Sequence, residues 1–235
     1  MDTSIRIALA ALAAALALVS AAGAVTGSTP DGDAHPYVGA LVVDAAVRCS
    51  GVLVSPTVFA TAAHCVAGLP ATARVEVTFD PAIDRSSWAL VAGTPYVHPA
   101  YNGNGDDLAV VVLERPAAVA PATLPAAGAA AGLRGAAVTS VGYGYSGRDA
   151  SGAWLYDGLR RAAVSPVIGV TKTSLRLDTS SAGPCMGDSG GPQLVGDTVV
   201  SVTTGGSKTC DKKAETLRLD TPSARAFLGG FVPLP

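Results

Sequence analysis

Beyond residue 24, apolar residues come in short runs rich in Val and Thr, each cut off within a few positions by Gly, Pro, Asp or Ser. The runs are Val38–Val43, Gly51–Val54, Val58–Ala62, Val75–Phe79, Leu90–Val97 and Leu108–Leu113, then Ala137–Tyr143, Ala162–Val167, Ser174–Leu177, Val199–Thr203 and Thr216–Leu219. β-branched runs of this length, punctuated by turn residues, predict strands of a sandwich or barrel, and the chain reads as all-β. A helical period is found only over Ser223–Leu228, where Thr221-Pro222 provides a start signal. No internal repeat points to a solenoid or propeller. From Arg115 to Arg134 the sequence is almost all Ala, Pro and Gly, which leaves two readings. It is the connection between two β halves, about 37–115 and 135–220, or a long surface loop within one unit.

Residues 1–24 read differently. A short polar start with one Arg leads into the unbroken apolar run Ile7–Val19, and Ala22-Gly23-Ala24 has the small-x-small form that signal peptidase cleaves. The run is too short to span a bilayer comfortably. A cleaved signal peptide over 1–24 is therefore expected, with one exported domain over 25–235 and no stable membrane association afterwards. With charged residues at 14%, a formal net charge of −2 and no basic run, nothing suggests a nucleic-acid surface.

Export makes disulfides the natural reading of the four cysteines. Three pairings are possible. Pairing neighbours, Cys49 with Cys65 and Cys185 with Cys210, is the simplest. No two cysteines have the close spacing typical of zinc, and no metal is expected.

Two stretches carry chemistry. Thr61-Ala62-Ala63-His64-Cys65 ends an apolar strand on a histidine, and Gly187-Asp188-Ser189-Gly190-Gly191-Pro192 sets a serine in a tight glycine-rich turn. Such a turn can aim successive backbone N–H groups at one point, which suits stabilisation of an oxyanion beside an activated hydroxyl. Gly187-x-Ser189-x-Gly191 also fits the nucleophile elbow of α/β-hydrolases. In that fold the histidine follows the serine, whereas His35, His64 and His98 all precede Ser189. An acidic partner for the histidine is available in Asp106-Asp107-Leu108-Ala109, where Asp107 stands at the mouth of a buried strand. His35 and His98 each precede a proline and read as turn residues.

His64, Asp107 and Ser189, in that order and in these motifs, resemble the chymotrypsin-like serine proteases, in the form of a secreted bacterial-type member. The resemblance extends over residues 25–235 and includes Ser50-Gly51-Val52-Leu53-Val54 and the closing Thr216–Thr221 segment. It implies two packed six-stranded antiparallel β-barrels, a short C-terminal helix and the same two disulfides. It further implies a serine endopeptidase with His64, Asp107 and Ser189 as catalytic triad and the Gly187 and Ser189 N–H groups as oxyanion hole. Activation would come from a Val25 ammonium paired with Asp188, released by signal cleavage itself.

By the same resemblance Gly183, Thr204, Gly206 and Ala214 shape the specificity pocket. With Gly183 at its base and no acidic residue there, the expected preference is for apolar or aromatic residues before the scissile bond. The Thr204 hydroxyl is placed to reach Asp107. The implied molecule is a monomer without cofactor that acts on protein or peptide substrates outside the cell. The alternatives are an inactive protease-like binding protein and a secreted serine esterase.

Overall fold

The computed structural model describes residues 26–235, so the expected leader and Val25 lie outside the described residues. Six strands close the first barrel: β1 (Val38–Val43), β2 (Ala46–Ser55), β3 (Val58–Thr61), β4 (Val75–Thr78), β5 (Leu90–Val97) and β6 (Ala109–Leu113). They pair in the order β1-β2-β3-β6-β5-β4, with β4 returning to β1. The β1–β2 hairpin turns through Asp44 and Ala45, both at positive φ (48° and 62°). That is the geometry a two-residue hairpin requires.

The second barrel is built from β7 (Ala137–Gly142), β8 (Arg161–Val170), β9 (Ser174–Asp178), β10 (Pro192–Val195), β11 (Thr198–Gly206) and β12 (Lys213–Arg218). Its order is β8-β9-β12-β11-β10-β7, closed by antiparallel pairing of β7 with β8. Thr29–Pro30 adds at the outer side of β8. Along β8 the period of two is visible: Arg161, Ala163, Ser165 and Val167 are buried, while Val164, Pro166 and Ile168 are exposed. The fold is the two-barrel chymotrypsin-like architecture implied by the sequence motifs. Of the twelve barrel strands, β10 has no counterpart among the apolar runs, because it opens on a proline and carries the fully buried Gln193.

The interior of the second barrel is a small cluster around Val138, Val167, Leu175, Leu177, Val200 and Ala214. The main core joins the two barrels, with Leu41, Leu53, Phe59 and Val110 of the first meeting Tyr143, Leu194, Val202 and Leu219 of the second half. Burial of side chains this size is worth about 1.5–3 kcal/mol each relative to exposure.

Polar pins cross the same seam. Arg160 is 1% exposed, and its guanidinium donates to Asp31 Oδ2 (2.9 Å), to the Val38 carbonyl (3.1 Å) and to the Phe79 carbonyl (3.0 Å). The Tyr143 hydroxyl donates to the Asp80 carbonyl (2.7 Å).

The Ala-Pro-Gly segment after β6 carries one short 3-10 turn, Ala129–Gly132, yet Ala122, Leu124 and Ala130 are buried. The C-terminal helix α1 (Pro222–Leu228) starts where the sequence signals it: Thr221 is the N-cap, its hydroxyl accepting the Ala224 N–H (3.3 Å), and Pro222 begins the first turn. Phe227 packs on His98 of the first half with ring centroids 4.9 Å apart. Among the described residues no helix is long and apolar enough to cross a membrane.

Candidate active site

His64 lies on a single 3-10 turn, Ala63–Cys65, immediately after β3. Asp107 precedes β6, following Asp106 at positive φ (46°). The two meet side by side: His64 Nδ1 is 2.7 Å from Asp107 Oδ2, and the His64 backbone N–H donates to Asp107 Oδ1 at 2.9 Å. With Nδ1 engaged by a carboxylate, Nε2 is the ring nitrogen left to take up a proton. The histidine side chain is 36% exposed and the aspartate 15%. Tyr101 stands near this pair; burial raises its phenol pKa, and the Asp107 charge adds to the rise.

The loop bearing Asp107 is tied to the far end of the chain. His98 Nδ1 accepts the Ala100 N–H (3.1 Å), which leaves Nε2 to donate to the Ser223 carbonyl (3.3 Å). The Ser223 hydroxyl in turn donates to Asp106 Oδ1 (2.6 Å). His35 has a different place, against Asp31 in the Arg160 network.

Ser189 sits in the turn between Cys185 and β10. Its carbonyl accepts the Ser50 N–H at 2.9 Å, and Cys65 Sγ is 3.9 Å from the same oxygen. Gly190, at φ +80°, lets the turn lie flat on the histidine segment, since a Cβ there would come within 2.7 Å of the Ala62 nitrogen. The serine and histidine turns are thus in direct contact.

Ser50 organises this corner; the sequence motif Ser50–Val54 contains it but assigns it no role. Its hydroxyl donates to the Gly187 carbonyl (3.1 Å) and accepts the Tyr143 N–H (2.9 Å). Its own carbonyl accepts the Thr61 hydroxyl (2.8 Å). With the Gly187 carbonyl held away, the Gly187 and Ser189 N–H groups have no acceptor among the described residues. The Gly187 backbone, at φ +93°, passes so close to Gly144 that a Cβ would approach its Cα to 2.8 Å.

Asp188 between them is 2% exposed and receives N–H groups from Gly144 (2.8 Å) and Cys185 (2.9 Å). Burial pushes its carboxyl up to about 7, only partly offset by those two donors. Thr26, the first described residue, pairs with Gly183, whose N–H donates to its carbonyl at 3.0 Å.

The disulfides join Cys49 to Cys65 and Cys185 to Cys210. Among the described residues one group of three His, Cys and acidic side chains converges closely enough to invite a metal, Cys49, His64 and Cys65. Its sulfurs are spent in the disulfide.

A cavity of about 160 Å³ opens beside Ser189, bounded by Met186, Gly205, Gly206, Lys208 and the Cys185–Cys210 bridge. Of the four pocket residues expected from sequence, Gly206 borders it and three do not. Gly183 faces Thr179 and Ser165. Ala214 belongs to the interior of the second barrel. Thr204 turns to a separate hollow that it shares with Asp107, and its hydroxyl donates to the Glu215 carbonyl (3.2 Å) rather than to the aspartate.

The family model described as Trypsin matches residues 24–226. The chain belongs to the trypsin family. Among curated relatives, a trypsin from Saccharopolyspora erythraea is 32% identical over 190 residues, 73% of this chain and 82% of its own length. Brachyurin from Leptuca pugilator is 33% identical over 177 residues, 67% and 75% of the two chains. Two solved structures share the fold at lower identity. The mouse brain serine protease neuropsin aligns with TM-score 0.69 at 19% identity, covering 85% of this chain and 95% of its own. HL collagenase gives 0.71 at 21%, covering 88% and 96%. This trypsin-family chain is a serine endopeptidase acting on protein or peptide substrates.

Proposed function

We propose that hydrolysis is carried out by His64, Asp107 and Ser189. The carrying observation is the 2.7 Å contact of His64 Nδ1 with Asp107 Oδ2, made on a turn that packs against the serine turn. Asp107 fixes the tautomer in which Nε2 accepts the Ser189 proton as Oγ attacks the substrate carbonyl. The imidazolium then gives that proton to the leaving amine, and water releases the acyl group by the reverse path. The two unengaged N–H groups, of Gly187 and Ser189, receive the oxyanion; each such donor is worth about 3 kcal/mol in the transition state.

The residue before the scissile bond enters the cavity beside the Cys185–Cys210 bridge. Among the described residues no carboxylate borders it, Lys208 stands at its rim, and Gly205 and Gly206 leave it wide. A cationic side chain finds no counter-ion there, whereas an apolar or aromatic one fits. Cleavage of a peptide library by the chain lacking residues 1–24 tests this. Aromatic and aliphatic residues should dominate the position before the bond, and a profile dominated by Arg and Lys would reject the assignment.

The apolar run over 1–24 and the two disulfides support an extracellular enzyme that begins at Val25 once the leader is removed; the enzyme is taken as a monomer. The Val25 ammonium would pair with Asp188, whose carboxylate is buried with no cationic partner among the described residues.

A further inference from the structure

A second hollow borders Gly187, on the other side of the turn from the cavity beside Ser189. It encloses about 320 Å³ among Arg48, Arg85, Tyr145, Tyr156, Met186 and Gly187. Met186 also borders the cavity beside the Cys185–Cys210 bridge, so the two hollows flank the turn carrying Ser189. On the catalytic reading above, a substrate seated in the first would run onward over the Cys49–Cys65 disulfide. Cys65 adjoins His64, the donor to the leaving amine, and Cys49 adjoins Arg48. The second hollow is therefore reached by residues after the scissile bond.

Two guanidinium groups border it in a molecule whose net charge is −2. Among the described residues Arg74, Arg160, Arg161, Arg176 and Arg218 are ion-paired, while Arg115, Arg134 and Arg148 are unpaired but do not border this hollow. Arg48 and Arg85 are exposed and have no carboxylate within 4.0 Å among the described residues. The Arg85 loop is docked: Ile83 N–H donates to the Gly158 carbonyl (2.8 Å) and Arg160 N–H to the Pro81 carbonyl (2.8 Å). Arg85 and Tyr156 border the same hollow; burial raises the Tyr156 phenol pKa, with the Arg85 charge opposing the rise and the Asp157 charge adding to it.

We propose that this hollow recognises a carboxylate on the leaving-group side of the substrate. It comes from an Asp or Glu side chain one or two residues after the scissile bond, or from the C-terminus of a short leaving peptide. Guanidinium groups bind carboxylates in a planar fork, and the tyrosine hydroxyls add neutral donors. The inference rests on the catalytic reading above.

The test uses donor–quencher peptides with the best residue from the library profile before the bond. The second residue after it is Glu or Gln in amidated peptides, with a third peptide carrying Gln and a free terminal carboxylate. The Glu peptide should exceed the amidated Gln peptide about fivefold in kcat/KM, as suits a solvent-exposed charge pair. The gain should lie mainly in KM and shrink in about 0.5 M salt. An advantage confined to the free-acid peptide would assign the hollow to a chain terminus. Arg48→Gln combined with Arg85→Gln should bring the ratio to about one. Equal rates for all three peptides, with a fluorophosphonate still labelling the wild-type enzyme, would overturn this inference alone. Absence of both cleavage and labelling would overturn the catalytic reading beneath it.

Discussion

Asp107 holds His64 at two points, with one carboxylate oxygen on the ring Nδ1 and the other on the backbone N–H. Position and tautomer of the imidazole thus depend on a single side chain. Asp107→Asn keeps the shape but can offer Nδ1 an N–H, which drives the ring proton to Nε2 and blocks acceptance from Ser189. A fall of about 10⁴ in kcat is expected. Steady-state peptide hydrolysis checks it, and a loss under about tenfold would contradict the role given to Asp107.

Gly187 is pinned between the Ser50 hydroxyl and Gly144 in a backbone conformation that disfavours side chains. Gly187→Ala should push the turn off Gly144 and misdirect its N–H. The expected result is a fall of about 10²–10³ in kcat with a smaller change in KM. Active-site titration alongside the kinetics separates this from simple loss of folded protein.

Asp188 makes a prediction about pH. Burial, partly offset by its two N–H donors, raises its pKa from 3.8 to about 7, so the folded chain holds a proton there that the unfolded chain has lost. With no cation beside it, stability falls as pH rises from about 4 to 7, by roughly 4 kcal/mol in all. A paired ammonium cancels that loss until the amine itself deprotonates near pH 8. Urea midpoints at about pH 5 and 7.5 should therefore diverge for a chain with extra residues ahead of Val25 and stay close for one beginning at Val25. Equal pH dependence of the two forms would count against the Val25–Asp188 pair.

The β1–β2 turn places Ala45, an exposed residue with a Cβ, at φ 62°. Ala45→Gly removes that strain and should stabilise the fold by about 1 kcal/mol without altering kcat. Chemical denaturation measures the gain; a destabilised variant would show that the turn does not hold its two-residue geometry.

The strands were readable because Val- and Thr-rich runs between turn residues leave few other options, and the helix because Thr221-Pro222 caps it. Strand β10 escaped because its inward Gln193 is polar. It is satisfied only by the Thr203 and Ser201 hydroxyls of the adjacent β11. His64, Asp107 and Ser189 stood out through their local motifs. Ser50 and Arg160 did not, since each acts through partners that are distant in sequence: Gly187 and Ser189 for one, Asp31, Val38 and Phe79 for the other. Of the residues expected to shape the pocket, Gly206 borders the cavity beside Ser189, and Gly183, Thr204 and Ala214 lie elsewhere. Which residues border a hollow depends on the twist and pairing of β11 and β12, which local sequence does not encode.

The central claim is that the Ser189 hydroxyl is made nucleophilic by His64. Mass spectrometry of the fluorophosphonate-treated protein measures it directly. One phosphonylated residue is expected, Ser189, with labelling abolished in Ser189→Ala and slowed by at least about 10³ in His64→Ala. Labelling at another serine, or at undiminished rate without His64, would contradict it.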